Sequence, residues 1–132
     1  MTTRAATAII PAGDLGGPAL RAFFAIAERW GLRIAEQRRL LGEPPESTFY
    51  KWKREREASL GRDVIERISY VLGIYKSLQI LFPDAERADA WVRRPNTAPA
   101  FGGRSALERM LSGNVADLYV VREYLDAQRG WN

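Results

Sequence analysis

The stretch Ser47-Thr48-Phe49-Tyr50-Lys51-Trp52-Lys53-Arg54-Glu55-Arg56 is the part of the chain from which the fold is best inferred. Phe49 and Trp52 are three residues apart and share one side of a helix, whereas Lys51 and Arg54 fall on other faces. The aromatic side predicts packing in a core, and the basic side chains favour a polyanionic partner. We interpret the stretch as a DNA-recognition helix. A solvated basic helix anchored by two aromatic residues is the alternative.

Two short helices and a tight turn are predicted immediately before this stretch. Apolar residues recur at spacings of three and four over residues 18–30, and Gly31 ends this first helix. A second helix is predicted over residues 32–41, and Gly42 ends it. Pro44-Pro45 then stiffens the connection to the third helix. This order is typical of a helix-turn-helix, whose last helix enters the major groove of DNA.

Eight residues form the predicted DNA-binding surface. Base contacts are expected from Ser47, Thr48, Tyr50, Lys51 and Arg54. Phosphate contacts are expected from Lys53, Arg56 and Arg38. Ser47 or Thr48 is also expected to cap the first turn of the helix. The turn is one residue longer than is usual for the motif, so the side chains that read individual bases stay open.

The segment after the recognition helix predicts a long core helix. Its apolar residues form a broad stripe at helical spacing that stops at Pro83, and Gly73 is expected to bend or divide the helix. Asp84 is expected to cap a short helix over residues 85–91. An ordered loop follows. It contains Gly102-Gly103, which favours a structural turn over a phosphate-binding loop because no strand precedes it and no Lys-Ser/Thr follows.

Two further helices are predicted at residues 105–111 and 115–128, the second capped by Asn114. The final helix is apolar on almost every side. Self-association or a partner protein would provide the second burial surface that such a helix needs. Burial in the middle of its own domain is the alternative.

The composition excludes several classes of chemistry. The 132 residues include no Cys and no His, which removes a thiolate nucleophile, a histidine base and the usual zinc sites. We therefore expect no enzymatic activity, no metal and no cofactor. The net charge is +4, and residues 1–57 hold ten Lys and Arg against seven Asp and Glu, so a nucleic-acid site must be local. Neither a signal peptide nor a membrane span of about 18 apolar residues is visible, which predicts a soluble, cytoplasmic protein.

Several segments together resemble the MbcA/ParS/Xre antitoxin family over residues 18–132. The resemblance is most specific in the second half. The segments that carry it are Trp30-Gly31-Leu32, Leu40-Leu41-Gly42, Ser47-Thr48-Phe49-Tyr50-Lys51-Trp52-Lys53, Ile68-Ser69-Tyr70-Val71-Leu72-Gly73-Ile74-Tyr75-Lys76, Leu81-Phe82-Pro83, Trp91-Val92-Arg93-Arg94-Pro95-Asn96, Phe101-Gly102-Gly103-Arg104-Ser105-Ala106-Leu107-Glu108-Arg109-Met110-Leu111 and Asp117-Leu118-Tyr119-Val120-Val121-Arg122-Glu123-Tyr124-Leu125.

The resemblance implies an all-α antitoxin with two functions. Residues 18–60 would form an Xre-like helix-turn-helix that binds the promoter of its own operon. Residues 61–132 would form a toxin-binding and dimerisation domain that blocks a RES-domain toxin, which consumes NAD or transfers ADP-ribose from it. Residues 1–17 are expected to be a flexible arm. A homodimer is expected because a palindromic operator requires two-fold symmetry.

The resemblance also implies that the C-terminal end approaches the active site of the toxin. The residues that this assigns to toxin binding are Arg122, Arg129, Gly130, Trp131 and Asn132. A terminal Trp is suited to enter a nucleotide pocket by stacking. Packing of Trp131 against its own helix is the alternative. At the level of function, a stand-alone dimeric helix-turn-helix repressor is the main alternative and a small enzyme the remote one.

Overall fold

The computed structural model describes residues 15–130, which fold almost entirely into helices. We number seven α-helices in chain order: α1 Gly16–Arg29, α2 Ile34–Leu40, α3 Glu46–Glu55, α4 Arg62–Leu81, α5 Ala85–Ala90, α6 Ala106–Met110 and α7 Val115–Gln128. A short 3-10 turn, Trp91–Arg93, follows α5. Within the described residues there is no strand, only an isolated bridge between Pro95 and Ser105. The prediction of an all-α fold is confirmed.

The ends of the first three helices are explained by backbone geometry. Gly31 follows the end of α1 with a φ of +61°, as predicted. The α2–α3 turn contains Gly42 and Glu43, both with positive φ, and α3 begins directly after Pro45. No side chain caps this helix, so the prediction of a cap from Ser47 or Thr48 is wrong. Both residues lie inside the first turn, two and three positions after the N-cap residue Pro45, which is too late for either to act as the cap.

Two predictions about the second half are also wrong. The helix α4 is continuous over 20 residues and passes through Gly73 without division. The side chain of Asn114 makes no capping bond at α7. Its backbone N–H instead donates to Ser112 Oγ at 3.0 Å. By contrast, Asp84 caps α5 as predicted, because its side chain accepts a bond from the backbone N–H of Glu86.

The long helix α4 lies at the centre of the fold, with α1 and α7 packed against it. Matching contacts, such as the Tyr70 and Tyr119 rings 5.9 Å apart, advance along both helices, so α4 and α7 run in the same direction. Leu118, Val121 and Leu125 of α7 are almost fully buried. Much of the apolar surface of α7 is thus buried within its own chain, as in the alternative considered above, while Tyr119 stays 47% exposed. None of the helices in residues 15–130 is long and apolar enough to cross a membrane.

Candidate DNA-binding and toxin-binding surfaces

The helix α3 is fixed to the core by its aromatic side. Phe49 is completely buried, and its ring meets that of Phe24 on α1 edge to face at 5.8 Å. Trp52 is half-buried against the same core. Aromatic pairs of this geometry add about 0.5–1.5 kcal/mol to the burial of their area. The orientation of α3 about its own axis is therefore set by Phe49 and Trp52, as the spacing predicts.

The opposite face of α3 is open to solvent. Ser47, Tyr50, Lys51 and Arg54 are exposed on it, and Thr48 is half-buried beside them. The guanidinium of Arg54 approaches Glu55 at 3.5 Å, in an exposed pair that is worth little and is easily exchanged for another anion. The structure thus brings four of the five predicted base-contacting residues onto one accessible surface.

Two of the predicted phosphate-contacting residues lie on a different side of α3. The Nζ atom of Lys53 lies 5.2 Å from the centre of the Phe24 ring, and the Arg56 guanidinium lies 4.9 Å from it. Arg56 adopts a left-handed backbone conformation just after the helix, and its Nε donates to the carbonyl of Lys53. Both cations are therefore held against an aromatic ring, apart from the Lys51 and Arg54 face.

Arg38 on α2 is turned toward the α2–α3 turn. Its Nη2 donates to the carbonyl oxygen of Pro44 at 2.9 Å, and the residue is half-buried. The Nε atom is buried and has no partner among the described residues. The side chain consequently braces the lengthened turn that positions α3.

Arg93, which follows α5, holds the start of the helix-turn-helix. Its Nη2 donates to the carbonyl of Gly31 at 2.8 Å and to Glu36 Oε1 at 3.0 Å, and its Nε donates to the carbonyl of Trp30. One guanidinium thus satisfies carbonyl groups left free at the end of α1 and pairs with a buried carboxylate on α2. Sequence reasoning missed this clamp, because its acceptors are mainly backbone atoms.

The carboxylate of Glu36 is buried and ionised in this clamp. Burial alone would raise the pKa of Glu36, but a hydrogen bond from the Arg33 backbone N–H and bonds from the Arg93 and Arg33 side chains outweigh it. The net result is a pKa below the usual glutamate value. The charge on Glu36 therefore stabilises the fold wherever the carboxylate is ionised.

Two further arginines, Arg39 and Arg67, hold the loop between α6 and α7. Arg39 of α2 donates to the carbonyls of Leu111 and Ser112, both at 2.9 Å. Arg67 of α4 donates to the carbonyl of Gly113 at 3.0 Å. Arg93 and Arg39 attach the helix-turn-helix to the C-terminal half at the two ends of α2, and Arg67 ties α4 to the same loop. The sequence carries no direct signal for them, since the partners are 46 to 73 residues apart.

The same loop is braced from within by Asp117. Its carboxylate accepts bonds from Ser112 Oγ at 2.6 Å and from Arg109 Nε at 2.8 Å. The Ser112 bond is the main reason why the pKa of Asp117 is lowered, and the Arg109 bond adds to it against a smaller opposing effect of burial. Upstream of this loop, the Gly103 N–H donates to the Asn96 carbonyl, which makes Gly102-Gly103 part of a structural turn.

The predicted toxin-binding residues are only partly visible. Arg122 lies on α7 with about a third of its side chain exposed, and it pairs with Asp126 at 3.2 Å. Arg129 follows α7 and its Nη1 donates to Ser77 Oγ. Gly130, exposed and with a φ of +82°, is the last described residue. Trp131 and Asn132 lie outside the described residues. No group of three or more potential metal-ligating side chains occurs within residues 15–130.

The fold and these surfaces define a class: a helix-turn-helix protein with an exposed basic recognition helix and a second all-helical domain. Comparison with known proteins gives the family. Residues 12–73 match the family model described as "Antitoxin Xre-like helix-turn-helix domain". Residues 77–130 match that of the "Antitoxin Xre/MbcA/ParS C-terminal toxin-binding domain". The chain belongs to the Xre/MbcA/ParS antitoxin family, and is thus a toxin–antitoxin system antitoxin with DNA-binding and toxin-binding domains.

The chain is also similar to a curated protein. The protein named "Uncharacterized protein y4oB" from Sinorhizobium fredii (strain NBRC 101917 / NGR234) is 55% identical over 111 residues, which are 84% of each chain. The name of that protein states no function.

Proposed function

We propose that this antitoxin neutralises a RES-domain toxin that consumes NAD or transfers ADP-ribose, and represses its own operon as part of a type II system. It acts by occluding the toxin and the promoter, without catalysis of its own. Residues 18–60 carry the DNA contacts, and residues 61–132 carry the toxin and dimer contacts. The observations that support the proposal are the outward basic face of α3 and, separately, the segment after α7 that begins with Arg129 and Gly130.

The DNA part of the proposal depends on the exposed face of α3. Lys51 and Arg54 are exposed there, and only the weak pair with Glu55 competes for Arg54. Ser47, Thr48 and Tyr50 lie beside them and supply hydroxyl groups for base edges. Lys53 and Arg56 lie over the Phe24 ring at the side of α3, from where they would contact phosphates. Arg38 would contact a phosphate beside the α2–α3 turn.

The experiment for this part is a gel-shift titration with the operon's own promoter. Lys51→Ala with Arg54→Ala should cost about 1–3 kcal/mol for each base-edge contact and make the salt dependence shallower. A double variant with Lys76→Ala and Arg87→Ala is the matched control, since it removes two exposed cations from α4 and α5. Unchanged affinity in the first variant, or an equal loss in both, would contradict the assignment of α3.

The toxin part of the proposal depends on the chain end. Residues 130–132 follow the last helix, so their removal should leave the fold and DNA binding intact. The experiment is co-expression with the adjacent open reading frame, co-purification, and an assay of NAD loss. We expect a partner that destroys NAD only when freed, and weaker neutralisation by the truncated chain. Full neutralisation by the truncated chain would show that the helical body blocks the toxin, and the absence of any partner would favour a stand-alone dimeric repressor.

A further inference from the structure

The middle of α4 carries a glycine whose vacant side-chain position is occupied by an arginine of α7. A Cβ atom built on Gly73 would lie 1.8 Å from Arg122 Nη1 and 2.5 Å from its Cζ. The guanidinium of Arg122 therefore rests directly against the backbone of α4. All three of the nearest atoms belong to this guanidinium and none to the α7 backbone. The glycine thus makes room for one side chain, and is not needed for close approach of the two helix axes.

A short chain of hydrogen bonds fixes Arg122 in this place. Its Nε donates to both carboxylate oxygens of Asp126, at 3.2 and 3.3 Å. Ser77, one helical turn beyond Gly73, donates from its Oγ to Asp126 Oδ1 at 3.4 Å. The same Oγ accepts a bond from Arg129 Nη1 at 3.0 Å. The Ser77 hydroxyl is completely buried. It bonds Arg129 directly and is connected to Arg122 through the carboxylate of Asp126.

We propose that Gly73 and Ser77 are positioning residues for toxin binding, because together they hold Arg122 and Arg129 in one arrangement before the toxin arrives. This inference rests on the proposed function, in which both arginines and the chain end contact the toxin. Long arginine side chains lose rotamer freedom when they are fixed in an interface. Because contacts with α4 already fix these side chains in the folded antitoxin, less conformational entropy is lost on binding. Each arginine held in this way improves toxin binding by about 3- to 10-fold.

The effect of Gly73→Ala on stability distinguishes the positioning role from a purely structural one, in which the variant would be less stable. Glycine inside a helix destabilises it relative to alanine. Gly73→Ala should therefore leave the unfolding midpoint unchanged or raise it, since the new methyl group displaces only the end of a flexible side chain. The displaced Arg122 then loses its fixed position. We expect a variant that is at least as stable as the original protein and binds the toxin more weakly.

The test uses the full chain and the product of the adjacent open reading frame as the binding partner. Binding is measured by titrating protection against NAD loss and by the dissociation rate of the complex, beside thermal unfolding of the antitoxin alone. We expect Gly73→Ala and Ser77→Ala each to weaken binding about 3- to 10-fold with promoter affinity unchanged. Gly61→Ala is the matched control, because Gly61 begins α4 with an ordinary φ and a Cβ there would meet no atom within 4 Å.

A double-mutant cycle separates the possible outcomes. In an Arg122→Ala background, Gly73→Ala should cause no further loss, which would support the positioning role. If Arg122→Ala weakens binding and Gly73→Ala does not, the inference is overturned while the proposed function stands. A lower unfolding midpoint with an equal loss in both backgrounds would also overturn it, as a general structural effect. If Arg122→Ala and truncation at Gly130 both leave binding unchanged, the proposed toxin surface itself is wrong.

Discussion

Replacing Arg93 by alanine should measurably destabilise the whole fold. The guanidinium is lost from the Trp30 and Gly31 carbonyls at the end of α1 and from Glu36, whose side chain is 7% exposed. Charged hydrogen bonds contribute about 1.5–3 kcal/mol, and breaking a buried ion pair costs about 3–5 kcal/mol. Because Arg93 is 44% exposed and Arg33 still pairs with Glu36, we expect a loss of about 2–3 kcal/mol. For a chain of this size, that lowers the melting temperature by about 6–15 °C.

The loss should depend on pH in a defined direction. The folded pKa of Glu36 lies below its unfolded value, so its ionised form adds stability that is complete above about pH 4.3. That contribution is lost as the pH falls through the lower, folded pKa. Without Arg93 the folded pKa of Glu36 rises toward the unfolded value, so the variant has less of this stability to lose in acid. The difference between the two proteins should therefore shrink in acid toward the part contributed by the two carbonyl bonds.

The assay is denaturant unfolding followed by circular dichroism at pH 7 and at several acidic values. Arg94→Ala is the matched control, because Arg94 is exposed and its side chain has no hydrogen bond or ion pair within residues 15–130. Arg93→Lys keeps the charge without the planar fork, so we expect an intermediate loss. Equal stability of the Arg93→Ala and Arg94→Ala proteins at pH 7 would refute the clamp. A difference that stays constant in acid would refute the contribution of Glu36.

Three further predictions concern the C-terminal half. Asp117→Asn should lower the free energy of unfolding by about 1–2 kcal/mol at neutral pH. Since the folded pKa of Asp117 is lowered, the difference in stability between the two proteins should close as the pH falls below that pKa. Urea titrations at pH 7 and pH 3 check this. Gly113→Ala should cost about 1–2 kcal/mol in the same assay, because Gly113 has a φ of +95° and the new methyl group would press on the Arg39 guanidinium, and no loss would contradict it. Leu118→Ala, at a fully buried position, should cost about 2–5 kcal/mol in thermal unfolding, and a loss below 1 kcal/mol would exclude tight packing of α7 on α4.

The local parts of the fold were predictable because their signals lie in neighbouring residues. The spacing of apolar residues predicts the helices, and the spacing of Phe49 and Trp52 predicts which side of α3 faces the core. Gly31 and Asp84 marked helix ends through their own backbone or side-chain chemistry. The exposed face of α3 follows from the same periodicity. These features need no knowledge of residues far away in the chain.

Apart from the helix caps expected from Ser47, Thr48 and Asn114, the features that were missed depend on contacts between distant residues. The long-range hydrogen bonds of three arginines, Arg39, Arg67 and Arg93, go mainly to backbone carbonyls. Every residue has a backbone carbonyl, so no pattern of side chains in the sequence indicates these bonds. Gly73 suggested a bend because its partner Arg122 is 49 residues away and unseen in a local window. The Phe24 ring that holds Lys53 at the side of α3 lies 29 residues away in the sequence, so a local window does not show this contact either.

The continuity of α4 bears on how a complex with a toxin would be held on DNA under the proposed function. The match to the helix-turn-helix family ends at residue 73 and the match to the toxin-binding family begins at residue 77, both inside the same 20-residue helix. No flexible joint separates the two halves there, and the three arginines fix them at two further points. Under the proposed function, a bound toxin would therefore be carried at a fixed angle around the duplex. The spacing between neighbouring sites, compared with the 10–10.5 base pairs of one helical turn, would then determine whether two toxin-bound complexes fit side by side or collide.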